Sequence, residues 1–523
     1  MYARNDSRKP PVWAKGLCLL ALVAILVQGA PASASGPVQG GSLTVGIEED
    51  FVGFDPIKAR FLGAMDRNVL LAVEERLFDL DEKGNLVPEL ALSASTSPDG
   101  KVWTILLREG VAFHDGTPFN ADAVVAHWQR LLDPKNRYLG RSALEPIESV
   151  TRADDHTVRF TLKRPWIHFK IQIGSAGFAS VIPSPKAVQE DTQNRAPVGT
   201  GPFVFKEWVR NDRLVLARNP NYWRKGRPYL DTVVFRPMPD MQARFSALQA
   251  GQADAIVTDR GTHILQARED RTLKVYSGDY AGPYAFLFNS SKPPLNDPRV
   301  RRALAHAWNQ EFLVKADFRG TIPVVTDPYG GSPACGDSGY RKHDLAKAKE
   351  LLAEYGQPVA LELAHTNTPR GKEAGEIAQR LFKEAGVTLT LTPLAPGEVF
   401  RKVMNGEYQI SSWRFSDYPD MGPYLHESLG SKGRVNFSGY ASPAMDEHLL
   451  AQATSNDAEA RKKALCGVAR TINEDAVFLY LGGRRFHILA RTDVQGLSAT
   501  PHPVVRVGDV WLAGGARMLQ NAR

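Results

Sequence analysis

The chain has 523 residues, 43% hydrophobic and 23% charged, with a formal net charge of +7. That length exceeds what one hydrophobic core usually organises, so at least two lobes are expected. Part of the positive charge sits in the first 34 residues, where Arg4, Arg8, Lys9 and Lys15 face only Asp6. The remainder is mildly basic with both signs mixed along it, which argues against nucleic acid as a partner.

Basic residues lead into the apolar run Gly16 to Val27, and Ala32-Ser33-Ala34 offers a small-residue cleavage site. The run is about a dozen residues, short of the roughly 20 that a membrane span needs. Cys18 has no small residue before it, so cleavage after Ala34 is favoured over a lipid anchor. Residues 1–34 are thus expected to be a signal peptide, and the mature protein to be exported. Two cysteines then remain, Cys335 and Cys466. In an oxidising compartment they could pair or stand as separate thiols, and the sequence leaves both open.

Leu43 to Ile47 alternates as a strand, broken at Phe54-Asp55-Pro56. Asp66 to Phe78 has helical spacing through Val69, Leu70, Val73 and Leu77, and Asp81 to Gly84 reads as a turn. Pro98-Asp99-Gly100 opens a hairpin arm, and His114-Asp115-Gly116 is read as a turn in preference to a catalytic pair. Asn120 is placed to cap a helix Ala121 to Leu132 with the face Val124, Val125, Trp128 and Leu131. Strands are expected over Ile147 to Arg152 and Thr157 to Leu162.

Near the middle of the chain, Val198-Gly-Thr-Gly-Pro202 is turn chemistry, with positive φ expected at both glycines. Phe203 to Val209 and Leu214 to Ala217 form a hairpin, capped by Asn219-Pro-Asn-Tyr-Trp223. This region reads as a structural landmark, with the ligand site elsewhere. A strand Asp231 to Arg236 and a helix Met241 to Leu248, stopped at Gly251, follow.

The apolar strand Tyr284 to Asn289 marks a change of character. Asp297-Pro298 starts a helix burying Val300, Ala303, Leu304, Ala307 and Trp308, and Asp344 caps another that ends at Gly356. Leu361 to Ala364, the helix Lys372 to Ala385 and Val387 to Leu391 make a βαβ unit. A helix Glu398 to Met404, a strand Gln409 to Trp413 and a helix Ala458 to Asn473 follow, and Phe486 to Leu489 would carry the chain back. The order is a β-rich first half, an α/β insert and a short β-rich tail, crossed near Phe288 and Phe486.

The motifs that mark catalytic sites are missing from the sequence. Gly199-Thr-Gly201 lacks a third glycine and a following helix, and His426-Glu427 lacks a second histidine four residues after the first. There is no Walker loop, no Gly-x-Ser-x-Gly elbow and no paired cysteine spacing, so neither an enzyme, a cofactor nor a metal is expected. The informative polar stretch is Trp413-Arg-Phe-Ser416-Asp417-Tyr418-Pro419-Asp420, just beyond the carboxyl end of a strand in an α/β region. Ligands of open α/β sheets bind there. Aspartate could anchor a cation with an aromatic wall, or the carboxylates could serve only to cap the turn.

Several stretches together resemble the extracellular solute-binding proteins of family five, the periplasmic dipeptide, oligopeptide and nickel receptors of ABC importers. They are Phe54-Asp-Pro56, Leu86-Val-Pro-Glu-Leu-Ala91, Pro98-Asp-Gly-Lys-Val-Trp-Thr104, Leu107-Arg-Glu-Gly-Val-Ala-Phe-His-Asp-Gly-Thr-Pro-Phe119 and Pro197-Val-Gly-Thr-Gly-Pro-Phe203. Arg218-Asn-Pro-Asn-Tyr-Trp223, Leu287-Phe-Asn289, Asp297-Pro-Arg-Val-Arg-Arg-Ala-Leu304 and the Asp417-Tyr-Pro-Asp420 stretch complete them in the family's order.

The resemblance implies an α/β fold: a two-lobed periplasmic-binding-protein clamp with an extra β-rich subdomain in lobe I and a two-strand hinge. Lobe I would be 35–285 with a subdomain about 80–190, lobe II 286–486, and 487–523 would return to lobe I. A monomer would engulf a peptide or amine-bearing solute in the periplasm and deliver it to a membrane permease. A metal–chelator complex or an oligosaccharide is the alternative cargo, and a secreted hydrolase the alternative class. In the family's Trp-x-x-Asp stretch the aspartate pairs with the ligand's α-amino group. Here Ser416 stands at that spacing and Asp417 one later, with Asp420 in reserve. The resemblance therefore implies Asp417 for a cationic end, Trp413 and Tyr418 as walls, and Arg370 for an anionic end.

Overall fold

The computed structural model describes residues 36–59, 64–81, 85–174, 180–329, 335–415, 420–498 and 504–513. The expected signal segment 1–34 and the loop Ser332-Pro-Ala334 lie outside them.

Ten strands join in one sheet that passes through both lobes. The order is Thr388–Leu394, Ala360–Thr366, Ile410–Arg414, Leu273–Phe288, Phe478–Arg491, Ala255–Thr258, Ser42–Ile47, Thr232–Pro237, Arg213–Arg218 and Phe203–Val209. The two central strands are the crossings. They pair antiparallel from Leu273–Arg491 to Leu287–Phe478, with register breaks between Asp279 and Pro283 and between Tyr284 and Ala285. Both are far longer than the sequence suggests, at 16 and 14 residues. Gly282-Pro283 in one and Gly482-Gly483 in the other interrupt the β pattern at the bulge, so only the apolar ends looked like strands. A bulge bends a strand pair locally, which suits a hinge.

Separate apolar clusters flank the crossing. Leu43, Val45, Phe235 and Phe203 pack with Ile488, Val494, Val505 and Val510, so the tail closes onto the sheet that opens the chain. Beyond the crossing, Phe286, Leu304, Trp308, Leu363 and Phe382 make one core and Tyr408, Leu425, Leu449 and Tyr480 another. The Trp308 indole is fully buried and donates to the Tyr480 carbonyl at 2.7 Å. Burying one such side chain stabilises the fold by roughly 2–3 kcal/mol.

The β-rich subdomain is a four-stranded antiparallel sheet, Ala91–Thr96, Val102–Leu107, Thr157–Leu162 and Ile147–Asp154. The helix Ala121–Leu132 covers it, capped by the Asn120 side-chain oxygen Oδ1 accepting from the Ala123 amide at 3.1 Å. Trp128, Phe160 and Phe169 form its centre. The expected βαβ unit is present, with Ala360–Thr366 and Thr388–Leu394 parallel. Its helix, Pro369–Ala385, starts earlier than expected because Thr368 caps it, which puts Arg370 in the first turn.

Two expectations are corrected. The first helix spans Ala64–Val73 and does not reach Phe78, since the Val73 carbonyl accepts from the Gly201 amide at 2.9 Å instead of from a helical neighbour. The chain then enters a short strand, Phe78–Leu80. Gly199 and Gly201 are not in positive φ. They are glycine because a Cβ would lie 2.3 Å from the Val73 carbonyl oxygen at Gly199 and 2.7 Å from the same residue at Gly201. The close approach, not the turn, demands them.

The central knot is structural. The Glu75 carboxylate accepts from Thr200 Oγ1 at 2.8 Å, Tyr222 OH at 2.8 Å and Trp223 Nε1 at 2.7 Å. His114 and Asp115 hold the neighbouring turns: His114 Nε2 meets the Gly201 carbonyl at 2.9 Å, and Asp115 accepts from Thr117 and Ser184.

Candidate functional site

The strand directions determine which residues reach the space between the lobes. In lobe I, Ser42–Ile47 and Ala255–Thr258 run parallel, and their carboxyl ends deliver Glu48 and Asp259. In lobe II, Ala360–Thr366 and Ile410–Arg414 are also parallel. One leads to Arg370 at the start of its helix, the other ends beside Phe415. Sheets of this kind gather polar groups beyond strand carboxyl ends, and here two such edges face each other.

At the first contact, Arg370 spans the seam. Its guanidinium bonds the Asp259 carboxylate and donates to the Asp259 carbonyl at 2.9 Å. It lies over Phe318, 4.5 Å from the ring centre, and Phe318 stacks on Tyr284 at 6.1 Å. Burial works against the arginine's charge, but Asp259 and the other acids nearby raise its pKa. Next to it Arg260 of lobe I bonds both Glu373 oxygens at 3.2 and 3.0 Å. Burial and a hydrogen bond with Glu373 push Asp317 up to about 7, while Glu373 is lowered. The hydrogen bond between the two carboxyls favours a proton on this acid pair, and Arg260 faces its Glu373 side. Arg260, Thr262, Asp317, Arg319, Glu373 and Arg380 line a cavity of about 300 Å³ at this seam.

Glu48 completes the group. Burial first, then Asp259, push its carboxyl up to about 7 against the pull of Arg244 and Arg370. Its side chain is nonetheless 44% accessible, with Arg244 at 3.2 Å. Both facts fit a carboxyl that protein surrounds closely while one face opens to the space between the lobes.

The second contact joins lobe II to the β-rich subdomain. Asp420 accepts two bonds from Arg461 Nη2, at 2.7 and 2.8 Å, and one from the Gly422 amide at 2.8 Å, all within lobe II. It also meets Nδ1 of His168, just before the subdomain helix Phe169–Gly174. Burial raises the Asp420 carboxyl, but His168 and Arg461 outweigh it and hold it below its ordinary value.

The residues singled out in the sequence therefore stand as follows. Trp413 is half-buried on lobe II, stacked on Phe400 at 5.9 Å and edge-on to Phe437 at 5.8 Å. Asp420 and Arg370 both lie at the seam, each committed to a partner on the other lobe. Ser416, Asp417 and Tyr418 lie outside the described residues. Sequence reasoning missed Glu48, Asp259 and His168. The acids had a usable signal, since each directly follows the last residue of a short apolar-rich strand, whereas nothing local distinguishes His168. Among the described residues no group of three metal-binding side chains occurs, and no helix is long and apolar enough to cross a membrane.

Comparison with known proteins agrees with this architecture. The family model described as "Bacterial extracellular solute-binding proteins, family 5 Middle" matches residues 85–436, well over half of the chain. The probable di/tripeptide-binding protein 5 of Pseudomonas aeruginosa is 28% identical over 510 residues, covering 90% of this chain and 96% of that protein. The glutathione-binding protein GsiB of Pectobacterium atrosepticum is 28% identical, covering 84% and 88%. Among solved structures, the periplasmic binding protein DppA of Helicobacter pylori in complex with the peptide STSA superposes with a TM-score of 0.81 at 24% identity, covering 91% of this chain and 98% of that one. NikZ of Campylobacter jejuni in complex with Ni(L-His) superposes with a TM-score of 0.78 at 23% identity, covering 88% and 97%. With its two-lobed clamp, its two-strand hinge and this match, the chain belongs to the bacterial extracellular solute-binding proteins of family 5.

Proposed function

We propose that this chain is the periplasmic receptor of an ABC importer, a monomer that encloses a peptide or other amine-bearing small solute and presents its closed form to a membrane permease. Removal of residues 1–34 releases it into the periplasm. Lobe I is taken as 35–285 with its subdomain near 80–190, completed by 487–523, and lobe II as 286–486. The relatives named for di/tripeptides and glutathione support an amine-bearing peptide as the cargo class.

The observation that carries the reading is the seam. Asp259–Arg370, Arg260–Glu373 and His168–Asp420 each take one partner from either lobe, so they form only when the lobes meet. A solute that touches both edges adds to these contacts and shifts an open–closed equilibrium without being altered. In this reading Asp417 holds the cationic end, Ser416 lies beside it, and Trp413 and Tyr418 wall the pocket. Asp420 acts as a clasp between lobe II and the subdomain through His168. Arg370 would meet an anionic end only by exchanging Asp259 for it.

Thermal-shift screening of di- and tripeptides, followed by calorimetric titration of the best one, provides the test. Asp417→Ala is expected to weaken that peptide at least tenfold, about 1.4 kcal/mol. Unchanged affinity removes the role assigned to Asp417. A stabilising metal–chelator complex or oligosaccharide in place of any peptide would move the cargo to that class.

A further inference from the structure

Outside the binding seam, Cys335 is half-buried and Cys466 is buried on the helix Ala458–Asp475. Both are free thiols, and Cys466 stands close enough to the Cys335 sulfur to add to burial in raising its pKa. The surrounding chain enforces that approach. Tyr329 OH donates to the Leu465 carbonyl at 2.6 Å, immediately before Cys466. Arg470, one turn further along the helix, donates from Nε to the Asp337 carbonyl at 3.2 Å, two residues after Cys335. Asn473 Nδ2 then reaches the Thr326 and Ser338 carbonyls, both at 2.9 Å. Four hydrogen bonds not made by the cysteines thus fasten the two backbones on either side of the sulfurs.

We propose that Cys335 and Cys466 are joined by a disulfide in the exported protein, tying the chain around Cys335 to the helix Ala458–Asp475. The proposal rests on the export reading above, because such bonds persist in oxidising compartments. The oxidant is the disulfide of a thiol oxidoreductase. Cys335, the more exposed sulfur, loses its proton and attacks one oxidant sulfur, expelling the other as a thiolate. That thiolate takes the Cys466 proton, and Cys466 attacks Cys335 Sγ, releasing the oxidant's first sulfur. The two cysteines lose two protons and two electrons, and the oxidant leaves as a dithiol. Burial, with Cys466 alongside, pushes the Cys335 thiol up to about 12, so thiolate is scarce and small oxidants act slowly. The same helix carries Arg461, and Tyr329 lies within electrostatic reach of both Arg461 and Asp420. The bond would therefore stiffen the support behind the carboxylate that His168 meets.

The test uses the full chain as cells process it, recovered from an envelope extract, denatured without reductant, alkylated and digested. The expected product is one species in which the Cys335 and Cys466 peptides are linked, two hydrogens lighter than the pair of thiols. Alkylation of both cysteines in envelope-derived protein overturns the proposal. If the chain is recovered only from cytosol, the export reading fails. Exposure of that protein to glutathione disulfide then decides the pairing: the linked peptide upholds it, and a glutathione adduct on each cysteine refutes it. In the linked protein, reduction is expected to lower Tm by roughly 5–10 °C, given the long loop enclosed. The double variant Cys335→Ser, Cys466→Ser should match the reduced Tm and ignore reductant. A Tm unchanged by reduction would refute the stiffening.

Discussion

Two regions of this molecule bury carboxylates, and they do so with opposite chemistry. Glu75, inside lobe I, is held by a hydroxyl, a phenol and an indole, all neutral donors from the same body. Asp259 and Asp420, at the seam, are held by Arg370 and by Arg461 with His168, and each has one partner on the opposite lobe. A neutral cluster fixed within one body is assembled as long as the protein is folded, so its worth appears in stability. Groups that must separate and rejoin need to be well hydrated when apart. Charged side chains meet that need, and their attraction strengthens as closure removes water. The same residue type therefore reads as architecture in one place and as a clasp in the other.

The sharpest way to break this contrast is Glu75→Ala. It leaves the donors of Thr200, Tyr222 and Trp223 facing a void, and each unsatisfied buried donor costs about 1–3 kcal/mol. A loss of about 3–5 kcal/mol in urea unfolding is expected. Glu75→Gln has a different signature. Burial and then Glu89 push the Glu75 carboxyl up to about 7 in the fold, above its ordinary 4.5. The folded state thus binds more protons, so this group's stabilisation is present below pH 4.5 and lost as pH rises to about 7. Glu75→Gln should flatten the unfolding free energy across that window. Full wild-type stability in Glu75→Ala would mean that the knot is ornamental.

A smaller effect tests the clasp. In a double-mutant cycle with Arg370→Ala and Asp259→Ala, the coupling should reach about 1–3 kcal/mol in affinity for the selected peptide. It should fall near zero in urea unfolding of the peptide-free protein, whose lobes are free to part. Equal coupling in both measurements would make the pair a stability element like Glu75. His168→Ala is the companion variant, because it leaves Asp420 paired with Arg461 within lobe II and removes only the contact across the seam.

How much of this was legible beforehand depends on whether the signal was local. Asn120, Asp297 and Asp344 cap their helices as their positions suggest, because a cap is decided within four residues. The family motifs spanned most of the chain and carried the two-lobed fold. The hinge strands were half-hidden, since Gly282-Pro283 and Gly482-Gly483 break the apolar pattern where the strands bend. Gly199 and Gly201 drew the right attention for the wrong reason, as their constraint comes from Val73, far away in the sequence. The seam was the least legible part. Asp259–Arg370 and His168–Asp420 are separated by 111 and 252 positions, and although Asp420 lies in a family motif and Arg370 was singled out, their partners Asp259 and His168 carry none.

The finest test concerns Glu48, where the two chemistries meet. Its carboxyl belongs to lobe I, yet the groups that set its proton affinity, Asp259, Arg244, Arg370 and Glu49, include one from lobe II. Opening the clamp hydrates it and returns it toward its ordinary 4.5, whereas in the closed form it is pushed up to about 7. Closure therefore takes up protons. Its contribution to closure is full below pH 4.5 and declines as pH rises to about 7. Because the side chain is 44% accessible, solvent screens much of this effect, and roughly a threefold fall in peptide affinity between pH 5 and 7.5 is expected. Glu48→Gln should remove that slope while leaving urea unfolding of the peptide-free protein unchanged. If the slope survives, the proton is taken up elsewhere at the seam, and Asp317, also raised to about 7 by burial and Glu373, is the group to replace next.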